Sequence, residues 1–267
     1  MSKSNHWKDK KVWITGASSG IGEAFAHAFA AKGAQLILSS RNAEKLNALT
    51  ASLAGANHKV IPMDVSDASS INAALTEHKA LINEVDVLVN SAGISQRALT
   101  WEASRESERK IMETNFFGAT ALAKAVLPGM MNRNHGTIIN MSSPAGAFGF
   151  PLRSSYSASK HALHGYFESL RAELKAGGKN VHILMALPGR VQTSMSVNAI
   201  TGDGSKQGTR DKRLESGITP EECARKIMRA AENGKAELYI GREQALIYIK
   251  RFFPSIFRRI VTKFKPD

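Results

Sequence analysis

The chain has 267 residues, enough for one large domain with a substantial core, and its 43% hydrophobic and 22% charged content is ordinary for a soluble globular protein. The formal charge of +13 is mostly scattered, and with no helix-turn-helix signal, zinc spacing or basic-aromatic platform no nucleic-acid partner is expected. The single cysteine, Cys223, excludes an internal disulfide and follows Glu221-Glu222 rather than a metal-type cluster, so a small buried helix residue is expected there, and no metal.

Residues 1–11 are polar and lack the apolar centre of a signal peptide, and no run approaches the roughly 18 apolar residues of a membrane span, so a cytoplasmic protein is expected. Val12-Trp13-Ile14 predicts a strand that ends in the turn Thr15-Gly16-Ala17-Ser18-Ser19-Gly20-Ile21-Gly22. Ile21, Ala24, Phe25, Ala28 and Phe29 then recur at helical spacing, with Gly33 as the stop. A second strand is predicted over 35–39, a helix over 43–53, and a third strand over 60–63 with Pro62 near its end or at an edge. Further strands are expected at 85–89, 137–141 and 181–187, with helices between them. The runs are apolar almost throughout, as parallel strands covered on both faces are. The pattern predicts a single doubly wound α/β domain over 1–241 with a parallel sheet.

Two regions break this rhythm. Residues 188–218 are polar, hold Gly202, Gly204, Gly208 and Gly217, and show little periodicity. A structureless stretch of that length is expected to be a substrate lid. It stops at Thr219-Pro220-Glu221-Glu222, which reads as a helix start with an N-cap, a proline at the first position and a glutamate at the third. The second break is the extension 242–267, where Ile249, Phe252, Phe253, Ile256, Phe257, Ile260, Val261 and Phe264 recur at helical spacing with Arg and Lys between them. Residues 241–267 carry seven basic side chains against two acidic ones, and Pro254 divides the helix into two pieces. Either the apolar face packs on the substrate pocket or another subunit, the reading preferred here, or residues 245–264 make a peripheral membrane contact.

The spacing Gly16-x-x-x-Gly20-x-Gly22, between a strand and a helix, lets the backbone turn tightly and lets a pyrophosphate approach the helix N-terminus and its partial positive charge. An NAD-preferring fold usually has an acid at the end of the second strand for the ribose 2′-hydroxyl. Here the segment is Ser39-Ser40-Arg41-Asn42. Arg41 is either a 2′-phosphate partner or a surface arginine, and the missing acid favours NADP.

Tyr156 and Lys160 stand four positions apart and so share a helix face. A phenol with an ordinary pKa of about 10 is a poor base at neutral pH. A neighbouring ammonium lowers that value and makes the phenol a usable acid and base. Ser143 follows the strand predicted over 137–141, where α/β sites form, and its hydroxyl could hold a substrate oxygen opposite the phenol. Alone, Ser142-Ser143-Pro144 reads as a turn and Tyr-x-x-x-Lys as a surface pair.

Taken in order, Thr15 to Gly22, Asp64-Val65, Asn90-Ser91-Ala92-Gly93, Asn115, Asn140-Met141-Ser142-Ser143, Tyr156-Ser157-Ala158-Ser159-Lys160 and Pro188-Gly189-x-Val191-x-Thr193 resemble the short-chain dehydrogenase/reductase family. Arg153-Ser154-Ser155 and Lys160-His161-Ala162-Leu163 further resemble its hydroxysteroid-dehydrogenase-like branch. The resemblance implies that Tyr156 is the acid/base, that Lys160 lowers its pKa and binds the nicotinamide ribose, and that Ser143 positions the carbonyl. It implies that Asn115 holds a water linking Lys160 to solvent. Gly16, Ser18, Ser19, Gly20, Ile21 and Gly22 would cradle the cofactor, Asp64 and Val65 would meet adenine, and Asn90, Ala92 and Gly93 would line it. Val191 and Thr193 would meet the nicotinamide carboxamide, and Pro188 and Gly189 would also bind the cofactor. Some NADP-binding members have a basic residue where Ser19 stands, so Arg41 would carry most of the 2′-phosphate recognition.

The expected protein is an NADP(H)-dependent reductase of an apolar ketone or aldehyde, reversible as an alcohol dehydrogenase, and a homodimer or homotetramer. Met141, Ala145, Phe148, Phe150, Pro151 and Leu152 flank the site in sequence and suggest the apolar substrate. The alternatives are a non-catalytic NADP-binding regulator, an NAD-dependent alcohol dehydrogenase, and a membrane-surface protein whose tail matters more than its chemistry.

Overall fold

Seven strands form one sheet: β1 (Lys11–Thr15), β2 (Gln35–Ser39), β3 (Lys59–Val60), β4 (Val87–Asn90), β5 (Gly136–Met141), β6 (Val181–Pro188) and β7 (Glu237–Ile240). A computed structural model describes residues 6–264, so Met1 to Asn5 of the polar leader and Lys265 to Asp267 of the basic tail lie outside the described residues. The strand order is β3-β2-β1-β4-β5-β6-β7, and every neighbouring pair is parallel. Strand side chains alternate in direction, so Val12 and Ile14 of β1 enter one core and Trp13 the other. The first core is closed by α1 (Gly20–Ala30), α2 (Ala43–Ser52) and α8 (Pro220–Glu232) through Phe25, Phe29, Leu46 and Ile227. The second is closed by α3 (Ala68–Glu77), α4 (Lys79–Asn83), α6 (Gly118–Arg133) and α7 (Ser154–Ala176) through Ile71, Ile82, Leu122, Val126, Leu163 and Phe167. A helix α5 (Arg105–Met112) leads into α6 through a π-helical turn, Glu113–Phe117.

This is the expected doubly wound domain, with local differences. The third strand is two residues long rather than 60–63, because Pro62 has no N–H to extend the ladder. The amides beyond it still reach β2 and the residue after it, Ile61 to Leu38 and Met63 to Ser40. The fourth strand starts at Val87 rather than Val85, whose N–H is used by the preceding turn at Ile82. The seventh strand went unpredicted, since Glu237-Leu238-Tyr239-Ile240 is short and mixes an acid with apolar residues. Thr219 caps α8 as expected, its side chain accepting from the Glu222 N–H at 3.2 Å. Cys223 is buried in that helix, and burial pushes its thiol up to about 12, which makes it unreactive.

Residues 189–219 form no regular strand or helix beyond the single 3₁₀ turn Lys212–Leu214. Three isolated bridges hold them: Gln96 with Ile200, Ile200 with Lys206, and Val191 with Ile218. The tail folds as α9 (Gln244–Phe252) and α10 (Pro254–Val261), broken at Pro254 as its sequence predicts. Among the described residues no helix is long and apolar enough to cross a membrane.

Candidate active site

The chain leaves β1 toward one side and β4 toward the other, so a crevice opens at the carboxyl ends of these strands. An open cleft of about 610 Å³ occupies that position. Its floor begins with the glycine turn. Gly16 has φ +64°, and a Cβ there would lie 2.8 Å from the Ala92 Cα, while a Cβ on Gly22 would run into the Gly16 carbonyl. Only glycine permits this packing of the turn against the loop after β4. Ser19, the N-cap of α1, makes no side-chain cap bond, so the first amides of α1 have no such partner. An N-terminus of this kind suits a phosphate.

At the end of β2, Ser40, Arg41, Asn42 and Lys45 line the cleft. Asn42 caps α2 by accepting from the Lys45 N–H at 2.8 Å, which fixes Lys45 one turn beyond Arg41. Sequence reasoning missed this second cation; the signal was the Asn cap three residues before a lysine. Asp64 and Val65 line the cleft after β3, and Asp64 Oδ1 accepts from the Ser66 N–H and hydroxyl at 2.9 and 2.7 Å.

After β4, Ala92 and Gly93 reach the cleft but Asn90 does not. Asn90 is buried in the sheet, where its amide donates to Asn140 Oδ1 at 2.9 Å and to the Ala119 carbonyl at 3.3 Å, tying β4 to β5 and α6. Asn115 is also absent from the cleft wall. It sits in the π-helical turn, accepts from the Ile94 N–H at 2.8 Å, and donates to the Ile94 carbonyl and the Ser159 hydroxyl, both at 3.0 Å. The Asn115 side chain thus clamps the loop after β4 onto α7. A Cβ on Gly93 would lie 3.7 Å from the Lys160 ammonium, so that clamp sets how closely the loop meets the lysine.

Ser143, Tyr156 and Lys160 all line the cleft, at the end of β5 and along α7. Lys160 is buried, donates to the Met141 carbonyl at 2.7 Å, and lies 5.7 Å from the centre of the Tyr156 ring. Burial pulls its pKa down to about 8. Burial raises the pKa of the Tyr156 phenol, and the Arg153 charge and the Ser143 hydroxyl lower it by less. This corrects the sequence expectation of a phenol depressed by Lys160: desolvation dominates, and Arg153 is the cation that acts on the phenol. Arg153 lines the cleft and pairs with Asp211 at 3.9 Å. Gln96 is the other residue sequence reasoning missed. It is buried, and its oxygen accepts from the N–H groups of Ser155 and Tyr156 at the start of α7.

Pro188, Gly189, Val191 and Thr193 line the cleft after β6, followed by Ser194, Met195, Ser196, Asn198, Ile200, Lys206 and Leu214. Of the six apolar residues that flank the site in sequence, Met141 reaches the cleft, whereas Phe148 is fully buried beneath the tail. Its ring meets Phe257 edge-on at 5.3 Å, Phe264 stacks on Phe150 at 6.1 Å, and Lys250 donates to the Ala147 carbonyl at 2.6 Å. One face of the tail therefore packs on the turn that follows Ser143.

A parallel sheet with a glycine turn at its switch point and a buried Tyr–Lys pair at a neighbouring strand end defines a Rossmann-type, nucleotide-dependent oxidoreductase. A family model described as short chain dehydrogenase matches residues 10–203. The chain belongs to the short-chain dehydrogenase/reductase family, whose members bind a nicotinamide cofactor. It is 36% identical to a dehydrogenase/reductase SDR family protein 7-like of Drosophila melanogaster, over 97% of this chain and 81% of that one. It is 39% identical to the mouse dehydrogenase/reductase SDR family member 7B, over 94% and 79% respectively. Among solved structures it is similar to a short-chain dehydrogenase from Streptomyces avermitilis, with TM-score 0.81 and 28% identity over 99% of this chain and 100% of that one. It is also similar to a serine dehydrogenase complexed with NADP+, with TM-score 0.77 and 29% identity over 86% and 94%.

Proposed function

We propose that the protein is an NADP(H)-dependent oxidoreductase that reduces the ketone or aldehyde group of an apolar substrate, or oxidises the corresponding alcohol. One observation carries the reading: a single cleft brings the glycine turn, the cations Arg41 and Lys45, and the set Ser143, Tyr156 and Lys160 together. The glycine turn suits a pyrophosphate, since glycine at 16 and 22 lets the turn pack tightly at the N-terminus of α1, whose first amides have no side-chain cap. Arg41 and Lys45 would hold the 2′-phosphate, Asp64 and Val65 would flank adenine, and Lys160 would bind the nicotinamide ribose. The solved neighbour bound to NADP+ supports this choice.

When bound, the nicotinamide supplies or accepts the hydride. Tyr156 moves the proton. Burial keeps the phenol in its protonated form at neutral pH, so it has a proton to donate to a carbonyl oxygen. Ser143 holds the same oxygen, and the positive charge of Arg153 eases phenolate formation as the proton leaves. Ile94, Met141, Met195, Ile200 and Leu214 give the wall its apolar character. The segment 188–218 covers the site as a lid.

The test is a steady-state screen of apolar ketones, aldehydes and steroids with NADPH and with NADH, with direct titration of both cofactors. NADPH-dependent turnover is expected. Tighter binding of NADH would overturn the cofactor assignment, and cofactor binding without turnover of any carbonyl would favour a regulator.

A further inference from the structure

The outer face of the tail is not explained by catalysis. Tyr248 and Phe252, one turn apart on α9, are 56 and 65% exposed, and Phe253 at the break and Ile256 on α10 are 58 and 52% exposed. The opposite face is the one that packs, through Phe257 on Phe148 and Phe264 on Phe150. Beside these apolar side chains stand Arg251, Arg258, Arg259 and Lys263, all exposed. Arg251 lies on α9 and Arg258 and Arg259 on α10. Glu243 is the single acid among residues 241–264, and it is turned away into an ion pair with Arg190 at 3.3 Å.

We propose that α9 and α10 form a docking face for an anionic lipid surface, lying in the plane of the interface with the exposed aromatic side chains at the headgroup–acyl boundary and the arginines at the headgroups. The charge decides the occupant. A symmetric contact between two copies would set this basic patch against itself, and like charges with no intervening acid repel. An anionic bilayer matches both halves of the pattern, apolar side chains to bury and cations to neutralise. The helices are far too short to span, so the contact is peripheral. Lys250, bonded to the Ala147 carbonyl, links this face to the turn after Ser143, which would put the cleft beside the bilayer.

The experiment is co-sedimentation of the full chain with vesicles of phosphatidylcholine alone and of phosphatidylcholine with phosphatidylglycerol. Binding to the anionic vesicles is expected, with little to the neutral ones, and it should weaken as salt rises. Each of Arg251→Gln and Arg259→Gln should lower the affinity about five-fold. Phe252→Ser with Phe253→Ser should lower it at least as much while leaving the melting temperature unchanged. A chain that stays in the supernatant with anionic vesicles at low salt overturns the proposal. So does binding indifferent to the Phe252/Phe253 pair, because the net charge alone would then be responsible. Loss of a dimer in sedimentation on the same substitution, without vesicle binding, would assign the face to a second copy instead. None of these readouts depends on turnover, so their failure is separate from failure of the enzymatic reading.

Discussion

The side-chain oxygen of Gln96 accepts from the Ser155 N–H at 2.8 Å and from the Tyr156 N–H at 3.3 Å, capping a helix whose own N-cap residue, Arg153, provides no side-chain cap. The residue that fixes the start of α7 thus lies some sixty positions away in sequence, in the loop after β4. Helix caps contribute about 0.5–2 kcal/mol. Gln96→Leu should therefore lower the melting temperature modestly but lower kcat much more, because the phenol is carried on the residue that loses its anchor. Gln96→Glu keeps the accepting oxygen and should restore most of kcat. Equal losses of kcat in both variants would show that the cap does not position Tyr156.

Tyr156→Phe removes the proton donor and nothing that packs. Cofactor titration and thermal melting should match the parent chain, while carbonyl reduction should fall by roughly 10²–10⁴-fold, the range of a general acid. Near-parental turnover in this variant would exclude Tyr156 as the donor.

Arg41→Ala and Lys45→Ala address the second substrate. Each removes a charge-assisted bond worth about 1.5–3 kcal/mol, or roughly ten- to a hundred-fold in NADPH affinity. NADH affinity should barely change. Equal losses for both cofactors would mean that these side chains hold something the two share.

Burial lowers the Lys160 pKa from 10.5 to about 8. Between those values the unfolded chain holds a proton that the folded chain has released, so stability from this group rises with pH across the window and is lost as pH falls through 8. Below pH 8 the buried charge opposes folding by at most about 3 kcal/mol. The stability difference between Lys160→Met and the parent should then be more favourable to the variant below pH 8 and shrink toward pH 10.5. Urea unfolding on both sides of pH 8 reads it, and a difference independent of pH would refute the assignment.

Truncation after Gly241 removes Phe257 and Phe264 from Phe148 and Phe150. A melting temperature lower by several degrees and greater aggregation are expected, with poorer substrate affinity because the uncovered turn begins at Ser143. An unchanged melting temperature would show that the tail's inner contacts contribute little.

The sheet was readable because β1, β2, β4, β5 and β6 are apolar on both faces, and the site because Gly16 to Gly22, Ser143, Tyr156 and Lys160 lie at strand ends and along one helix. Pairings between distant segments were not readable. Nothing local to Gln96 points to Ser155, and nothing near Asn90 says that its amide turns to Asn140 rather than the cleft. The direction of the Tyr156 shift was missed for a similar reason: spacing shows which charge is near, whereas burial depends on what the whole fold places on top. The tail's division at Pro254 was legible, and its two dissimilar faces became distinct only once Phe148 and Phe150 were known to lie beneath one of them.

The bridge at Ile200 changes how the segment over the cleft can move. Its N–H reaches the Ser95 carbonyl at 2.9 Å and its carbonyl accepts from Arg97 at 2.8 Å, so the middle of the segment is stitched to the same short loop that caps α7. A connection pinned at its midpoint has less slack than one long free loop, because closure entropy grows with the length of free chain. The two halves are also bonded to each other, Gly208 N–H to the Val197 carbonyl and Asp211 N–H to the Ser196 hydroxyl, both at 3.0 Å, so the half that bears Met195 is tied to the half whose Asp211 holds Arg153. A displacement of Met195 that admits a substrate is thereby coupled to the guanidinium next to the phenol.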